Sequence, residues 1–239
     1  MPEYKGDAAN ITDKKILLRS LMNVRPPIKL NPEFLKVQDE YLSLENALKG
    51  IIHVNELKEI QPGISLWQGD ITRLDSDAIV NAANEKLLGC FIPCHRCIDN
   101  AIHSAAGLQL RDECNNIMKA QGHDEFTGSA KITKAYNLPA KFVIHTVGPV
   151  VFGKLTDSHR AELESCYESC LELAEEKKLK SVAFCCISTG EFHFPNDEAA
   201  KIAVRTVKNF LKRAKNLKKV IFNVFKDLDL GIYEKELKN

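Results

Sequence analysis

Short apolar runs alternate with longer segments of helical periodicity from residue 64 onward, and this alternation limits the folds open to the chain. Strands are predicted at residues 64–67, 77–80, 130–136, 141–147, 181–187 and 219–225, and helices at residues 98–106, 108–120, 158–176 and 197–213. The run at 77–80 is apolar enough to be buried on both faces, as strands of a helix-covered sheet are. The pattern predicts an α/β sandwich with a mixed sheet.

The chain before residue 61 is predicted to be helical. Residues 14–22 carry apolar side chains at helical spacing. Asn31 and Pro32 are typical of the N-cap and the first position of a second helix, which runs to about residue 50. Residues 55–63 are predicted to form a connector. We therefore expect an N-terminal helical extension (residues 1–60) followed by one α/β domain (residues 61–239).

The charge balance argues against one class of function. The chain has 33 Lys and Arg residues against 32 Asp and Glu residues, a net charge of +1, whereas electrostatic binding of nucleic acid needs a strongly basic face. No window reaches the roughly 18 apolar residues that span a bilayer, and the first residues lack the apolar stretch of a signal peptide. We expect a monomeric cytoplasmic protein that binds neither nucleic acid nor membrane.

Polar segments that follow predicted strands are the candidates for a ligand site, because ligands of α/β sheets bind beyond the carboxyl ends of the strands. Asp70, after the first predicted strand, could accept the exocyclic amine of a purine, or could only cap a turn. Asn81 and Asn84, after the second, could hydrogen-bond sugar hydroxyls, or could form Asx turns in a polar loop.

A cluster of possible metal ligands comes next in the chain, at Cys90, Cys94, His95 and Cys97. Two thiolates and an imidazole within eight residues can reach one tetrahedral ion, and zinc suits such mixed ligands. We prefer Cys90, His95 and Cys97, because adjacent residues such as Cys94 and His95 rarely aim both side chains at one metal. Three protein ligands leave a fourth position open, which is typical of catalytic zinc sites. A chance cluster or redox-active thiols are the alternatives.

A glycine-containing turn lies between the predicted strand at residues 181–187 and the helix that follows it. It contains Ser188, Thr189, Gly190, Glu191 and Phe192. Backbone N–H groups in such a turn, together with the N-terminus of the next helix, can bind an anion such as a diphosphate. A Thr-Gly turn is also common in loops without a ligand.

The remaining cysteines and histidines have structural interpretations. Four cysteines in apolar patterns are predicted to be small buried hydrophobic side chains: Cys166, Cys170, Cys185 and Cys186. His145, in an apolar strand, is predicted to be a hydrogen-bonded core histidine. His103 could support the cysteine-rich segment or only pack, and Cys114 stays undecided.

Taken in order, these segments resemble the signatures of the macrodomain family over residues 64–225. The resemblance is carried by Gly69-Asp70-Ile71-Thr72, Val80-Asn81-Ala82-Ala83-Asn84, Asp99, Ala101-Ile102-His103, Ala106-Gly107, residues 128–133, His145-Thr146-Val147-Gly148-Pro149 and Ser188-Thr189-Gly190. Ordinary hydrolytic members have a glycine-rich loop where this chain has Cys90, His95 and Cys97. That replacement, like the helical extension, resembles the zinc-containing subclass.

The resemblance implies a fold and a role for each site residue. The fold is a three-layer α/β/α macrodomain with a mixed central sheet and an N-terminal helical extension, holding one Zn²⁺ ion. Asp70 and the Ile71 backbone would hold adenine, and residues 188–192 would wrap the diphosphate, with Phe192 flanking it. Asn81 and Asn84 would face the distal ribose. Asp99 matches the acidic residue that the family places near the scissile bond.

The activity implied is zinc-dependent hydrolysis that removes mono-ADP-ribose from modified protein side chains, through an ester-like or other labile linkage. The partners are then ADP-ribose and mono-ADP-ribosylated protein. The zinc could activate water or polarise a sugar or acceptor oxygen, with Asp99 orienting the water or acting as general base. A non-catalytic ADP-ribose-binding module with structural zinc, and a deacetylase acting on O-acetyl-ADP-ribose, stay open as alternatives.

Overall fold

The computed structural model describes residues 10–238. Within this part of the chain, one sheet contains seven strands: β1 (Glu59–Gln61), β2 (Ile64–Gln68), β3 (Ala78–Ala83), β4 (Ala130–Lys134), β5 (Phe142–Val147), β6 (Ser181–Phe184) and β7 (Lys219–Val224). Their order across the sheet is β1-β2-β7-β6-β3-β5-β4. The five inner strands are parallel, and the edge strands β1 and β4 are antiparallel to their neighbours. The predicted mixed sheet is confirmed.

Helices cover both faces of this sheet. They are α1 (Ile11–Val24), α2 (Pro32–Leu48), α3 (Ile98–Ala106), α4 (Leu108–Gln121), α5 (Asp157–Glu176), α6 (Asn196–Leu211) and α7 (Asp227–Lys238). Helices α5, α6 and α7 pack together in one layer, while α3 and α4 form the other, with α1 and α2 packed outside α3. The chain is therefore a three-layer α/β/α sandwich, as the resemblance implied. No helix in the described residues is long and apolar enough to cross a bilayer.

The core lies between the sheet and its helices. Ala78, Ile79 and Val80 of β3 are fully buried, as the apolar run at 77–80 predicted. Tyr167 on α5 and Phe184 on β6 are also buried, with ring centroids 5.0 Å apart. Aromatic pairs at this separation add to the burial of their apolar surface, so the α5–α6–α7 layer is anchored to the middle of the sheet.

The two N-terminal helices form where the sequence predicted them. The Asn31 side chain accepts a hydrogen bond from the Glu33 backbone N–H at 2.8 Å, and Pro32 is the first helical residue. The helices share a small apolar cluster of Met22, Leu42 and Leu108 with the start of α4. Asn46 on α2 also donates to the Ala105 carbonyl at 3.2 Å. These contacts fix α1 and α2 against the α3–α4 layer.

The structure differs from the predicted elements in several places. β1 lies in the predicted connector, because residues 59–61 pair with β2 across a turn at Pro62 and Gly63. β3 continues to Ala83 because it pairs with β5 along its whole length. β6 ends at Phe184, before the predicted end at residue 187. α7 was not predicted at all, and it buries only Asp229, Tyr233 and Leu237.

Candidate active site

The loops that follow the parallel strands lie at one edge of the sheet. β6 lies between β7 and β3, and β7 lies beside β2. The loop after β6 is therefore between the segment after β2, which contains Asp70, and the segment after β3, which contains Asn84.

The three predicted metal ligands come together in the segment that follows β3, which we call the Cys-His loop (residues 90–97). One ligand atom each from Cys90, His95 and Cys97 lies within 4.8 Å of the other two. The loop turns at a hydrogen bond from the His95 N–H to the Ile92 carbonyl, 3.2 Å long. Cys97 then caps α3, where its Sγ accepts from the Asn100 N–H at 3.4 Å.

The donor set fits a zinc ion. Ligand atoms placed tetrahedrally at about 2.0–2.3 Å from one ion lie roughly 3.3–3.8 Å apart, so binding would draw these atoms together by about 1.5 Å at most. The His95 Nδ1 atom is buried and has no hydrogen-bond partner in residues 10–238. Burial raises the pKa of the Cys97 thiol to about 12. A zinc ion here would bind the thiolate form of Cys97, and the unpartnered His95 nitrogen is suited to a metal ligand.

Cys94 lies outside this cluster, as predicted. Its Sγ is 3.3 Å from the Ser20 Oγ and 3.6 Å from the Ile16 carbonyl oxygen, both on α1. Its φ angle of +51° is in the left-handed region. The structure thus separates Cys94 from the three candidate ligands.

Asp99 lies in the first turn of α3, two residues after Cys97. It is 5% exposed, and its burial raises the pKa of the carboxyl group to about 6. Asn81 Nδ2 donates to Asp99 Oδ1 at 2.8 Å, and Asn84 Nδ2 lies 3.5 Å from Asp99 Oδ2. Both predicted asparagines therefore meet at the same carboxylate.

The two asparagines differ in exposure. Asn81 lies within β3, not after it as predicted, and it is fully buried beneath Asp99. Asn84 follows β3 and is partly exposed; its Oδ1 accepts from the Lys86 N–H at 3.0 Å in an Asx turn. The Asx-turn interpretation is thus correct for Asn84, whose Nδ2 still points to the carboxylate.

A buried polar network lies below Asp99, and the sequence predicts only one of its members, His145. His145 is a core histidine, as predicted: its Nε2 is 2.9 Å from Thr133 Oγ1 and its Nδ1 is 3.2 Å from Asn81 Nδ2. His103 Nε2 lies 3.5 Å from Asp99 Oδ1. Cys114 Sγ is 3.7 Å from His145 Nε2. The four-residue spacing of Asp99 and His103 on one helix is the sequence signal that indicates their contact.

The remaining cysteines have no disulfide partner among the described residues. Cys166, Cys170 and Cys185 are buried in the core, as predicted. Cys186, two residues after the end of β6, is only partly buried, whereas burial in the core was predicted.

The loop after β6 presents backbone N–H groups. We call residues 188–192 the amide loop. The N–H groups of Ser188, Gly190, Glu191 and Phe192 donate to no acceptor among the described residues, while Val151 N–H to the Phe192 carbonyl (2.9 Å) holds the loop in place. Ser188 has a φ of +64°. The helix α6 begins close behind, at Asn196, without a side-chain cap. Unpaired N–H groups beside a helix N-terminus are suited to an anion.

Asp70 caps a 3₁₀ turn at Ile71–Arg73. Its Oδ1 accepts from the Thr72 N–H at 3.0 Å and from the Thr72 hydroxyl at 2.7 Å. The capping alternative is therefore correct for this oxygen. The second oxygen, Oδ2, makes only a 3.8 Å contact with Lys49 Nζ. A role for Asp70 and Ile71 in binding adenine stays a prediction.

The Cys-His loop and the amide loop meet across the crevice. His95 Nε2 lies 3.8 Å from Glu191 Oε1. The two loops are about a hundred residues apart in sequence, and only the parallel pairing of the central strands brings them together.

Comparisons with known proteins agree with this architecture. Residues 80–203 match the family described as Macro domain. A protein-ADP-ribose hydrolase of Treponema medium is 52% identical over 242 residues, which cover 98% of this chain and 92% of the relative. A protein-ADP-ribose hydrolase of Staphylococcus aureus strain MSSA476 is 52% identical over 223 residues, covering 91% of this chain and 82% of the relative.

Solved structures show the same fold. A Trypanosoma brucei macrodomain in complex with ADP-ribose superposes with a TM-score of 0.71 at 31% identity, covering 95% of both chains. An Oceanobacillus iheyensis macrodomain with ADP superposes with a TM-score of 0.67 at 37% identity, covering 76% of this chain and 93% of the other. With its sheet order, its crevice loops and these likenesses, the chain belongs to the Macro domain family.

Proposed function

We propose that this chain is a zinc-dependent hydrolase that removes mono-ADP-ribose from modified protein side chains. The observation that carries the proposal is the 3.8 Å contact between His95 and Glu191. It supports the proposal because a zinc-type donor set lies beside a loop of unpaired backbone N–H groups, which would bind the diphosphate. The relatives named protein-ADP-ribose hydrolase, at 52% identity, support the same activity.

The sheet edge offers consecutive places for the parts of ADP-ribose. Asp70 Oδ2 makes no hydrogen bond to the turn that Asp70 caps. This oxygen would accept a hydrogen bond from the adenine amine, beside the Ile71 backbone. The N–H groups of the amide loop would bind the diphosphate, with Phe192 beside it. Asn84 would hydrogen-bond the distal ribose. Binding energy from these distant contacts would hold the reacting carbon in register at the Cys-His loop.

Cys90, His95 and Cys97 would hold one zinc ion with a fourth position open. When bound, the ion supplies Lewis-acid polarisation of an oxygen at the scissile end of the ligand. Asp99 would orient the attacking water or accept its proton. Asn81 keeps this carboxylate in one orientation by its 2.8 Å hydrogen bond to Oδ1, so that Oδ2 is the oxygen available to the water.

The linkage that we propose is an ester or a similarly labile bond to a protein side chain. A carboxylate leaves more readily than an alkoxide, so a site with one metal ion and one carboxylate suits an acyl-linked ADP-ribose better than an ether to serine. The acceptor in the target protein would then be an acidic side chain.

The test is release of free ADP-ribose from a protein mono-ADP-ribosylated on acidic side chains. The full chain is assayed after zinc loading, after removal of metal with a chelator, and after zinc is restored. We expect release that is lost with the metal and recovered with zinc. Binding of ADP-ribose without release in any state would indicate a binding module, and release of acetate from O-acetyl-ADP-ribose alone would indicate the deacetylase.

A further inference from the structure

Helix α1 is the part of the N-terminal region that contacts the Cys-His loop. Asn23 is almost fully buried, at 1% exposure. Its Oδ1 accepts from the Cys94 backbone N–H at 2.9 Å, and its Nδ2 donates to the Ser104 hydroxyl at 2.9 Å. One amide side chain therefore ties the middle of the loop to α3, which carries Asp99.

Arg19, one helical turn earlier, ties the end of the same loop. Its guanidinium donates to Asn100 Oδ1 at 2.8 Å (Nη2) and 3.3 Å (Nε), and to the His95 carbonyl at 3.4 Å. The fully buried Asn100 in turn donates to the Ile92 carbonyl at 3.0 Å. Arg19 thus links the backbone of a candidate metal ligand to the first turn of α3.

The position of α1 is itself fixed by a buried arginine of the domain. Arg111, 3% exposed on α4, donates through Nη1 to the Met22 carbonyl at 2.9 Å and to the Arg25 carbonyl, both at the end of α1. Its Nε donates to the Leu88 carbonyl at 2.7 Å, just before the Cys-His loop. Helix and loop therefore share one anchor.

The loop needs such support because its own backbone is strained and poorly connected. Cys94 has φ +51°, a conformation that non-glycine residues rarely adopt unless their surroundings hold them there. Within residues 90–97, one backbone hydrogen bond, His95 to Ile92, closes a turn. The bonds that connect the loop to α1 run from Cys94 to Asn23, Ser20 and Ile16. Arg19 is reached both directly, from the His95 carbonyl, and through Asn100.

We propose that α1 is a positioning element for the metal site: Arg19 and Asn23 hold the Cys-His loop so that Cys90, His95 and Cys97 face one point, and thereby raise the affinity of the chain for zinc. The inference rests on the proposed function, which supplies the metal. Groups that orient the ligands of a metal affect its binding although they do not touch it, typically by 10–100-fold. A Cys-His loop that α1 already holds in place loses few conformations when zinc binds. A loop without these contacts would lose more, and its affinity for zinc would be lower.

The experiment compares zinc affinity of the full chain with that of Arg19→Ala and Asn23→Ala, by competition with a chromophoric chelator. Lys14→Ala is the matched control, since Lys14 is exposed on α1 and its side chain makes no hydrogen bond or ion pair with the described residues. We expect the zinc dissociation constant to rise about 10–100-fold in both variants and to change less than twofold in the control. Arg19→Lys keeps the positive charge but loses the planar guanidinium group with its several N–H donors. Its zinc dissociation constant is expected to lie between that of Arg19→Ala and that of the control.

A second measurement, made without metal, tests the positioning role even if a variant has lost its zinc binding for another reason. Hydrogen–deuterium exchange of residues 90–97 is measured in the metal-free chains, and it is expected to be faster in Arg19→Ala and Asn23→Ala than in Lys14→Ala. ADP-ribose affinity is expected to persist in each variant, because none of the three side chains contacts the amide loop, and its persistence shows that the domain is folded.

The outcomes separate the two proposals. Zinc affinity and exchange that are unchanged in both variants would overturn the positioning role and leave the hydrolase proposal standing. A full chain that binds no zinc would overturn both. Weakened zinc binding in the variants of a chain that releases no ADP-ribose would support the positioning role and reject the hydrolase.

Discussion

A Cβ atom added to Gly148 would lie 2.0 Å from the Ser188 hydroxyl oxygen and 2.9 Å from Ile187 Cγ2. Gly148 follows β5, and Ser188 begins the amide loop after β6. The absence of a side chain at Gly148 lets the loop lie against the neighbouring strand end. The Ser188 hydroxyl is buried there without a hydrogen-bond partner among the described residues, so at Ser188 the close approach to Gly148, and not a bond of its own side chain, positions the start of the loop.

Gly148→Ala is therefore expected to weaken ADP-ribose binding. Ser188 and Ile187 must move to admit the methyl group, which displaces the N–H groups that would bind the diphosphate. We expect a loss of at least about tenfold in affinity, or about 1.4 kcal/mol, measured by titration calorimetry. Gly231→Ala on α7 is the control, because its added Cβ would contact nothing. Equal affinity of the two variants would contradict the assigned binding loop.

Cys97→Ala and Cys94→Ser are expected to differ in zinc content. Cys97 belongs to the cluster whose ligand atoms lie within 4.8 Å of one another, whereas the Cys94 thiol contacts Ser20 and Ile16 on α1. Loss of one of three ligands should lower bound zinc from one equivalent to near zero, together with turnover. Cys94→Ser keeps the backbone N–H that Asn23 binds and should retain the metal. Elemental analysis after desalting measures both; zinc retained by Cys97→Ala would reject the ligand set.

Asp99→Asn is expected to separate turnover from binding. The substituted amide keeps an oxygen that can accept from Asn81, so the crevice keeps its shape, but it cannot take a proton from water. Loss of a positioned general base typically lowers the rate about 10²–10⁴-fold, while ADP-ribose affinity should change only a few-fold. Asp124→Asn, an exposed carboxylate paired with Lys86, is the control for charge. A variant with wild-type turnover would remove Asp99 from the mechanism.

The buried histidine His145 is expected to make the metal-free chain less stable in acid. Burial lowers its pKa from 6.5 to about 3, in a pocket formed by Asn81, His103, Cys114 and Thr133. Below pH 6.5 the unfolded chain binds a proton that the folded chain does not. The free energy of unfolding should therefore fall as the pH decreases from 6.5 toward 3, by about 1.4 kcal/mol per pH unit for this group.

Chemical denaturation at pH 7.0, 6.0, 5.0 and 4.0, with chelator present, checks this expectation against His145→Gln. The variant has no imidazole at this position, so its free energy of unfolding should decline less steeply below pH 6.5. The comparison of slopes cancels the titrating groups that do not interact with His145; His103 does interact with it, since burial and then the charge on His145 lower the pKa of His103. Parallel curves for the two proteins would mean that His145 takes up its proton in the folded state.

The local sequence alone predicts many of the helices and strands that form the scaffold. The helices α3 and α4 begin and end within a residue or two of their predicted bounds, because periodic apolar side chains and the glycines at 107 and 122 are local signals. Residue chemistry likewise singled out Cys90, His95 and Cys97, since thiolates and imidazole are the ligands that zinc prefers. Asn31 and Pro32 marked the start of α2 for a similar reason.

Tertiary structure decided the features that depend on partners distant in the chain. Pairing with β5 extended β3 through Ala83 and so buried Asn81 beneath Asp99, where a loop had been expected. The Cys94 thiol contacts Ser20, 74 residues away on α1, so it does not belong to the cluster of Cys90, His95 and Cys97. Identity and spacing of residues can determine which groups are available, but the direction of each side chain depends on packing between elements that are far apart in sequence.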